Sequence, residues 1–251
     1  MDPGFDIARA AALEGVPHGF FGASGGAHQF GYGGPGDAQV IAELRRRAAH
    51  ALVPGALSLT PHQTHSATVL TVTKGWPDAP YGRPEGDALV TGERGLAIGI
   101  VTADCAPVLF ADREAGIVGA AHAGWRGAQS GICAHTIAAM EVLGAKAARI
   151  AAAIGPTIAQ PSYEVDSQLL AHFTDADTIH FAPAPIREGK ARWHFDLPGH
   201  IVAELRALGV GRIENLGLDT FALAPRYHSF RRASQRGEPG YGRQISLIAL
   251  P

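Results

Sequence analysis

Three short apolar segments follow one another closely in the middle of the chain, and they restrict its fold more than any other feature. Residues 96–101, 107–111 and 116–121 each read as a buried strand. The connections between them are too short for the crossover helix that joins parallel neighbours. Strands therefore outnumber helices, and this arrangement predicts an α+β fold rather than a regularly alternating α/β fold.

Further elements follow from periodicity and turn residues. Additional strands are predicted at 57–59, 68–72, 149–154, 212–216 and 244–250. One helix is predicted over 130–143 and a second over 197–208, the latter beginning at Asp196 as N-cap and ending before Gly209. Glycine-rich or proline-rich loops are predicted at 22–36, 74–86 and 234–242. No boundary is evident, so residues 1–251 are predicted to form a single domain.

Composition narrows the function classes. The chain has 251 residues, 46% hydrophobic and 18% charged, with a formal net charge of -2. That balance gives no reason to expect a nucleic acid or an anionic membrane as partner. No apolar run is long enough for a membrane helix, and the N-terminal residues do not resemble a signal peptide. With only two cysteines, Cys105 and Cys133, we expect a cytoplasmic protein.

A glycine-rich turn follows the third apolar segment. The sequence GAAHAGWRGA places His122 at the end of a strand, with Gly124 and Arg126 in the turn before a helix. Free backbone N–H groups at such a position, together with an arginine, favour an anionic ligand. Glycines there permit close approach of a ligand to the backbone. An ordinary surface turn explains the spacing equally well.

Two more segments carry residues suited to chemistry. VTADCAPVLFAD contains Asp104 and Cys105, and HQTHSATV contains His62 and His65. In an extended segment His62 and His65 would face opposite sides. Two imidazoles and a thiolate suit zinc, copper would accept the same ligands, and three protein ligands leave a position for water. The metal-free alternative is a thiol activated by a histidine, and each residue alone is more often structural.

These segments resemble one protein family. HQTHSATV, GDALVT (86–91), VTADCAPVLFAD, GAAHAGWRG and IGPTIAQPSYEV (154–165) are similar to the bacterial laccase-domain proteins, formerly called multicopper polyphenol oxidases. That family is now grouped as purine nucleoside phosphorylases, and some members are named peptidoglycan editing factors. The resemblance extends from HGFF at 18–21 to YGRQISLIAL at 241–250. One departure is the absence of an arginine shortly after HGFF.

The resemblance implies a fold, a metal site and an activity. The fold would be α+β, with mixed sheets sandwiched between outer helices and a relationship to a cysteine-hydrolase-like superfamily. The metal, usually zinc, would be held by His65, Cys105 and His122. The activity would be phosphorolysis of adenosine, inosine, guanosine and methylthioadenosine, with adenosine deamination as a side activity.

Roles for individual residues follow from this interpretation. Cys105, His122, Asp104 and Arg126 are the predicted catalytic residues. Asp104 would orient a ligand histidine or act as a base, or alternatively cap a turn, and Arg126 would hold phosphate. The predicted substrate-binding residues are His62, Gly124, Arg232 and Arg243; Arg231 is a further candidate for closing the anion site.

Two other functions remain open at this point. One is a peptidoglycan-precursor hydrolase in which Cys105 is the nucleophile and His122 its base. The other is a metal-binding protein without enzymatic turnover. A true laccase is disfavoured, because multicopper oxidases need many more histidines in short HxH pairs. The partner is predicted to be a small-molecule substrate, and the protein a monomer or a homodimer.

Overall fold

The computed structural model describes residues 4–251, and in this part of the chain fourteen strands and six α-helices form three sheets with helices outside them. The strands are β1 Ile7–Ala8, β2 His18–Phe21, β3 Leu57–Leu59, β4 Val69–Thr71, β5 Ala88–Thr91, β6 Leu96–Thr102, β7 Ala106–Asp112, β8 Ile117–Ala123, β9 Ala151–Ile154, β10 Glu164–Asp166, β11 Phe181–Arg187, β12 Lys190–Phe195, β13 Arg212–Asn215 and β14 Gln244–Ala249. The helices are α1 Ala38–Leu52, α2 Trp125–Gln129, α3 Ile132–Val142, α4 Ser167–Leu170, α5 Leu197–Ala207 and α6 Phe230–Gln235.

Two mixed sheets form the centre of the molecule. The first has the order β1-β2-β14-β6-β3 and the second the order β13-β9-β7-β8-β5-β4. The strands β7 and β8 pair antiparallel, as their short connection predicts, whereas β3 and β6 pair parallel. A third, smaller sheet of order β10-β12-β11 lies beside the second. The α+β class is therefore confirmed.

Alternation of side chains along the strands builds separate apolar layers. In β8, Val118 and Ala120 pack between the two large sheets together with Ile98 of β6, whereas Ile117 and Ala121 face the opposite side. That outer side is covered by the apolar faces of α3 and α5. The first sheet is covered in the same way by α1. The result is helices outside two stacked sheets, the sandwich that the family resemblance implies; the relationship to the cysteine-hydrolase-like superfamily and the single domain stay predictions.

Helix bounds depend on local capping. Asp196 is the N-cap of α5 as predicted and accepts a hydrogen bond from Gly199 N at 2.9 Å. The helix predicted over 130–143 corresponds to α3, which begins two residues later because Gly131, with a φ of +74°, separates it from the short α2. The helix α1 has no predicted counterpart. Its N-cap Asp37 accepts from two backbone N–H groups, and its buried face includes Ile41 and Leu44.

Candidate metal centre

The connection between β6 and β7 places Cys105 where the chain leaves one sheet for the other. Cys105 is half-buried and follows Asp104, whose φ of +84° turns the backbone sharply. The strain is held by three hydrogen bonds to the Asp104 carboxylate, donated by Thr220 Oγ1 at 2.6 Å, Ser229 Oγ at 2.9 Å and Arg231 N at 2.6 Å. The sequence interpretation of a strand rim at Cys105 is confirmed.

A buried carboxylate, Asp87, organises both histidines. It precedes β5 and is fully buried. One oxygen accepts from His65 N at 3.0 Å and lies 2.8 Å from His122 Nδ1, while the other accepts from Ser66 N at 2.6 Å. Because Nδ1 of His122 donates to Asp87, Nε2 of His122 is left as the ligand atom. Asp87 also holds His65 at its left-handed φ of +60°.

His65, Cys105 and His122 are brought together into one cluster, the His–Cys–His triad. One ligand atom from each of the three lies within 4.8 Å of the others, and Cys105 Sγ is 4.0 Å from His65 Nε2. Among residues 4–251 it is the single group of three or more His, Cys, Asp or Glu side chains with such spacing. Two imidazoles and a thiolate suit zinc, and copper would also accept them, so the residues fit a metal ion.

The charges within the triad favour a thiolate. Burial opposes ionisation of Cys105, but the neighbouring His122, with hydrogen bonds from both histidines, lowers the pKa of the thiol to about 6. Burial likewise opposes protonation of His122, yet the Cys105 thiolate and the Asp87 carboxylate raise its pKa to about 9. Burial would raise the pKa of Asp87, but its hydrogen bonds with His122 and Ser66 hold it well below its usual value. Anionic sulfur between two imidazoles is a ready ligand for a cation.

Two cavities adjoin the triad, and His65 and Cys105 line both. The first, which we call the aromatic cavity, has a volume of about 390 Å³. Its walls include Trp125, Tyr163, Phe230, Arg126, Arg192 and Arg231. The second, which we call the arginine cavity, has a volume of about 210 Å³. Its walls include Arg45, Arg83, Arg243, His62, Tyr32 and Tyr241.

The predicted role of Asp104 at the metal is corrected. Its carboxylate does not orient either ligand histidine; Asp87 does so, because it lies beneath both rings. Asp104 instead takes the alternative role of a cap, at the start of α6. Burial raises the pKa of Asp104 against the opposing effect of the Arg231, Thr220 and Ser229 donors. The signal for Asp87 was present in the GDALVT segment, where an acid directly precedes a buried strand.

The GWRG turn, where the sequence predicts phosphate, packs against the triad. The helix α2 has only five residues, too few for a strong N-terminal field. A Cβ atom on Gly124 would lie 2.9 Å from Cys105 Sγ and 3.3 Å from His65 Cδ2. The glycine therefore permits the triad to pack against the turn, rather than a ligand. The exposed Arg126 stacks on Trp125 at 4.5 Å and borders the aromatic cavity.

Other predicted substrate contacts divide into two groups. The Arg232 guanidinium donates to the carbonyl oxygens of Thr220, Phe221 and Tyr227, so it ties a loop together, and it lines neither cavity. Arg243 and His62 both line the arginine cavity. His62 and His65 do not face opposite sides, because the left-handed turn at His65 ends the extended conformation. Arg83 and Tyr163 were not predicted.

Sheet architecture and the triad together define a class: sandwiched α+β proteins with one histidine–cysteine–histidine centre. The chain belongs to the multi-copper polyphenol oxidoreductase laccase family, whose model matches residues 18–251. The family membership predicted from the motifs is thus confirmed.

Relatives of known name and structure agree with this membership. The chain is 37% identical over 256 residues to a purine nucleoside phosphorylase of Deinococcus radiodurans, covering 99% of this chain and 94% of the relative. It is 40% identical over 160 residues to an adenosine deaminase of an unknown prokaryotic organism, covering 60% and 59%. A crystal structure of a hypothetical protein from Bacillus licheniformis superimposes with a TM-score of 0.84 at 26% identity, covering all of both chains. A Neisseria meningitidis protein gives 0.82 at 28% identity, covering 98% of each chain.

One further property concerns membranes. Within residues 4–251, every helix is too short or too polar to span a bilayer.

Proposed function

We propose that the protein is a zinc-dependent purine nucleoside phosphorylase that binds its nucleoside in the aromatic cavity, with adenosine deamination as a side activity. The observation that carries this proposal is the placement of the His–Cys–His triad at the edge of a cavity with aromatic walls. The names of the relatives, purine nucleoside phosphorylase and adenosine deaminase, support the same substrate class.

The walls of the aromatic cavity suit a purine. Trp125 and Tyr163 line it, and aromatic rings are the side chains on which purine bases stack. Arg126 stacks on Trp125, and Arg231 lies 5.4 Å from the Tyr163 ring centre, so both rings are held by neighbouring cations. Burial and the nearby Cys105 raise the pKa of Tyr163 well above its ordinary value, so its phenol remains a hydrogen-bond donor near neutral pH. A planar, polar-edged heterocycle fits these walls.

Zinc is proposed for the triad on the chemistry of the donor set. His65, Cys105 and His122 would hold the ion, which when bound supplies a Lewis acid and an ionised water near neutral pH. Asp87 accepts a hydrogen bond from His122 Nδ1, which keeps the proton on Nδ1, and it fixes the backbone of His65. These contacts orient both imidazoles before any ligand arrives.

Phosphorolysis and hydrolysis are separated by one assay. Purified protein is incubated with adenosine, with and without inorganic phosphate, and the bases and sugars released are quantified. We expect adenine and ribose 1-phosphate only when phosphate is present, and some inosine from deamination. Equal release of adenine without phosphate would contradict the phosphorylase proposal and identify a hydrolase.

Metal content is tested on the same samples. We expect about one zinc per chain by elemental analysis, with strong loss of metal and activity in His122→Ala. The control is His50→Ala, an exposed histidine of α1, which should keep both. Equal zinc in His122→Ala would remove His122 from the centre.

A further inference from the structure

The arginine cavity is the least explained feature near the triad. We propose that it binds the inorganic phosphate co-substrate, held by Arg83 and Arg243, in a cavity that shares His65 and Cys105 with the one proposed for the nucleoside. This inference rests on the proposed phosphorylase function, and it replaces the phosphate position at Arg126 that the sequence suggested.

The charge of the two cavities differs, and this difference selects the anion site. The arginine cavity is lined by three arginines and by no aspartate or glutamate among residues 4–251. The aromatic cavity also has three arginines, but three acids line it as well; these are Asp104, Glu164 and Asp166. A doubly charged anion is therefore attracted to the arginine cavity. In the aromatic cavity, local carboxylates offset the attraction of the arginines.

One of the three arginines, Arg45, is already paired and hydrogen-bonded within the protein. Arg45 is fully buried, and its Nε lies 2.9 Å from Asp78 Oδ2. Its two other nitrogens donate to Phe30 O and Thr60 Oγ1. Asp78 thus accounts for one guanidinium, and the charge of the remaining two is left without an acidic partner in the lining of the cavity.

Arg83 and Arg243 each have a fixed position and a spare donor. Arg83 Nη1 donates to Pro61 O at 2.8 Å and Thr60 Oγ1 at 3.1 Å. Arg243 Nη2 donates to Tyr241 Oη at 3.0 Å, and its guanidinium stacks on that ring. Within residues 4–251, Arg83 Nε and Arg243 Nη1 are buried and have no hydrogen-bond partner. Buried N–H donors without partners are costly, so each guanidinium gains by turning toward a phosphate oxygen, the acceptor that guanidinium groups bind best.

The position of the two cavities suits displacement at the sugar. His65 and Cys105 line both, so a nucleoside in the aromatic cavity and a phosphate in the arginine cavity meet at the triad. An oxygen of hydrogen phosphate forms a bond to C1′ of the ribose as the bond from C1′ to the purine nitrogen breaks. The electron pair of that bond leaves with the purine, which takes the proton that hydrogen phosphate loses. The products are ribose 1-phosphate and the free base.

Separate measurements on phosphate and nucleoside test the assignment. Arg83→Gln and Arg243→Gln should each raise the KM for phosphate at least tenfold, while the KM for adenosine stays within about twofold and zinc content is unchanged. Arg206→Gln, an exposed arginine of α5, is the matched control and should behave as wild type. Circular dichroism and thermal melting show whether each variant is folded.

Direct binding keeps this inference distinct from the proposed function. Titration calorimetry of the zinc-loaded protein with inorganic phosphate alone should show one site that Arg83→Gln and Arg243→Gln weaken. If wild-type protein binds phosphate in this way but does not cleave adenosine, the phosphorylase proposal fails and the anion site stands. If phosphate binding is unaffected in both variants, or is weakened by Arg126→Gln instead, the assignment of phosphate to the arginine cavity is overturned.

Discussion

At the scale of single residues, Asp87 determines the geometry of the centre. Its carboxylate accepts from the turn that carries His65 and from the ring of His122. We expect Asp87→Asn to weaken zinc binding about 10- to 100-fold, because an amide cannot fix both histidines in the same way. Zinc affinity measured against a chelator of known strength checks this.

A matched control separates orientation from stability. Asp112 is also a buried carboxylate, and it accepts from Arg149 and from backbone N–H groups far from the triad. Asp112→Asn should lower the unfolding free energy by about 2–4 kcal/mol, as Asp87→Asn should, but leave zinc affinity unchanged. Similar zinc loss in the two variants would show that Asp87 acts only through stability.

Gly124 is the second residue on which the triad depends. Its backbone, with φ of −73° and ψ of 172°, is open to alanine, so any effect of Gly124→Ala comes from the added methyl group. That methyl would press on Cys105 Sγ, and we expect at least a tenfold loss of zinc affinity in a protein that still folds. Gly92→Ala, where the nearest atom lies 3.7 Å away, is the control. Unchanged affinity in Gly124→Ala would show that Cys105 moves aside without cost.

Residue types in the sequence predicted the three members of the triad but not what orients them. His65, Cys105 and His122 were recognisable because imidazole and thiol at strand ends suit zinc. The sequence points to Asp104 because it is next to Cys105, and it gives Asp87 no such neighbour. The structure places Asp87 under both histidines through pairing of β5 with β8, a long-range contact that spacing along the chain does not reveal.

At the scale of elements, α5 carries a group that makes stability depend on pH. Burial raises the pKa of Glu204 to about 7, and its Oε2 is buried without a partner among residues 4–251. The unfolded chain loses this proton near the ordinary glutamate pKa of about 4.3, whereas the folded protein keeps it to about 7. The folded state is therefore destabilised progressively as the pH rises between those values.

Glu204→Gln removes this dependence, because glutamine does not ionise. Relative to wild type, the variant should gain about 1–3 kcal/mol of unfolding free energy between pH 5 and pH 8. Urea unfolding at both pH values measures the change. The exposed Glu93→Gln should show no such difference, and an equal pH dependence in wild type and Glu204→Gln would refute the explanation.

Element positions were predictable where periodicity was strong. Strands β6, β7 and β8 and the start of α5 lie within a few residues of the predicted bounds. The helix α1 is not predicted although Asp37, Ile41 and Leu44 have cap and helical spacing, because the glycine-rich stretch just before it is typical of a loop. The hairpin of β11 and β12 is not predicted because Pro183 and Pro185 lie within β11, and proline is typical of turns and edge strands.

At the scale of the whole molecule, the triad joins three separate parts of the chain. His65 lies between β3 and β4, Cys105 between β6 and β7, and His122 in β8. Zinc should therefore stabilise the folded state, by about 4 kcal/mol at a free concentration a thousand times the Kd, which raises Tm by roughly 10 °C. Melting with and without a chelator measures this, and Cys105→Ser should lose the difference. A metal-independent Tm would contradict a shared site.

The arrangement of the cavities has a consequence for reaction order. Each co-substrate of the proposed reaction has its own cavity, so binding of one does not block access of the other to its site. Binding in either order should lead to a ternary complex, and double-reciprocal plots of initial velocity should intersect rather than run parallel. Either product can then depart first, and the free base, which occupies only the aromatic cavity, should inhibit competitively against the nucleoside.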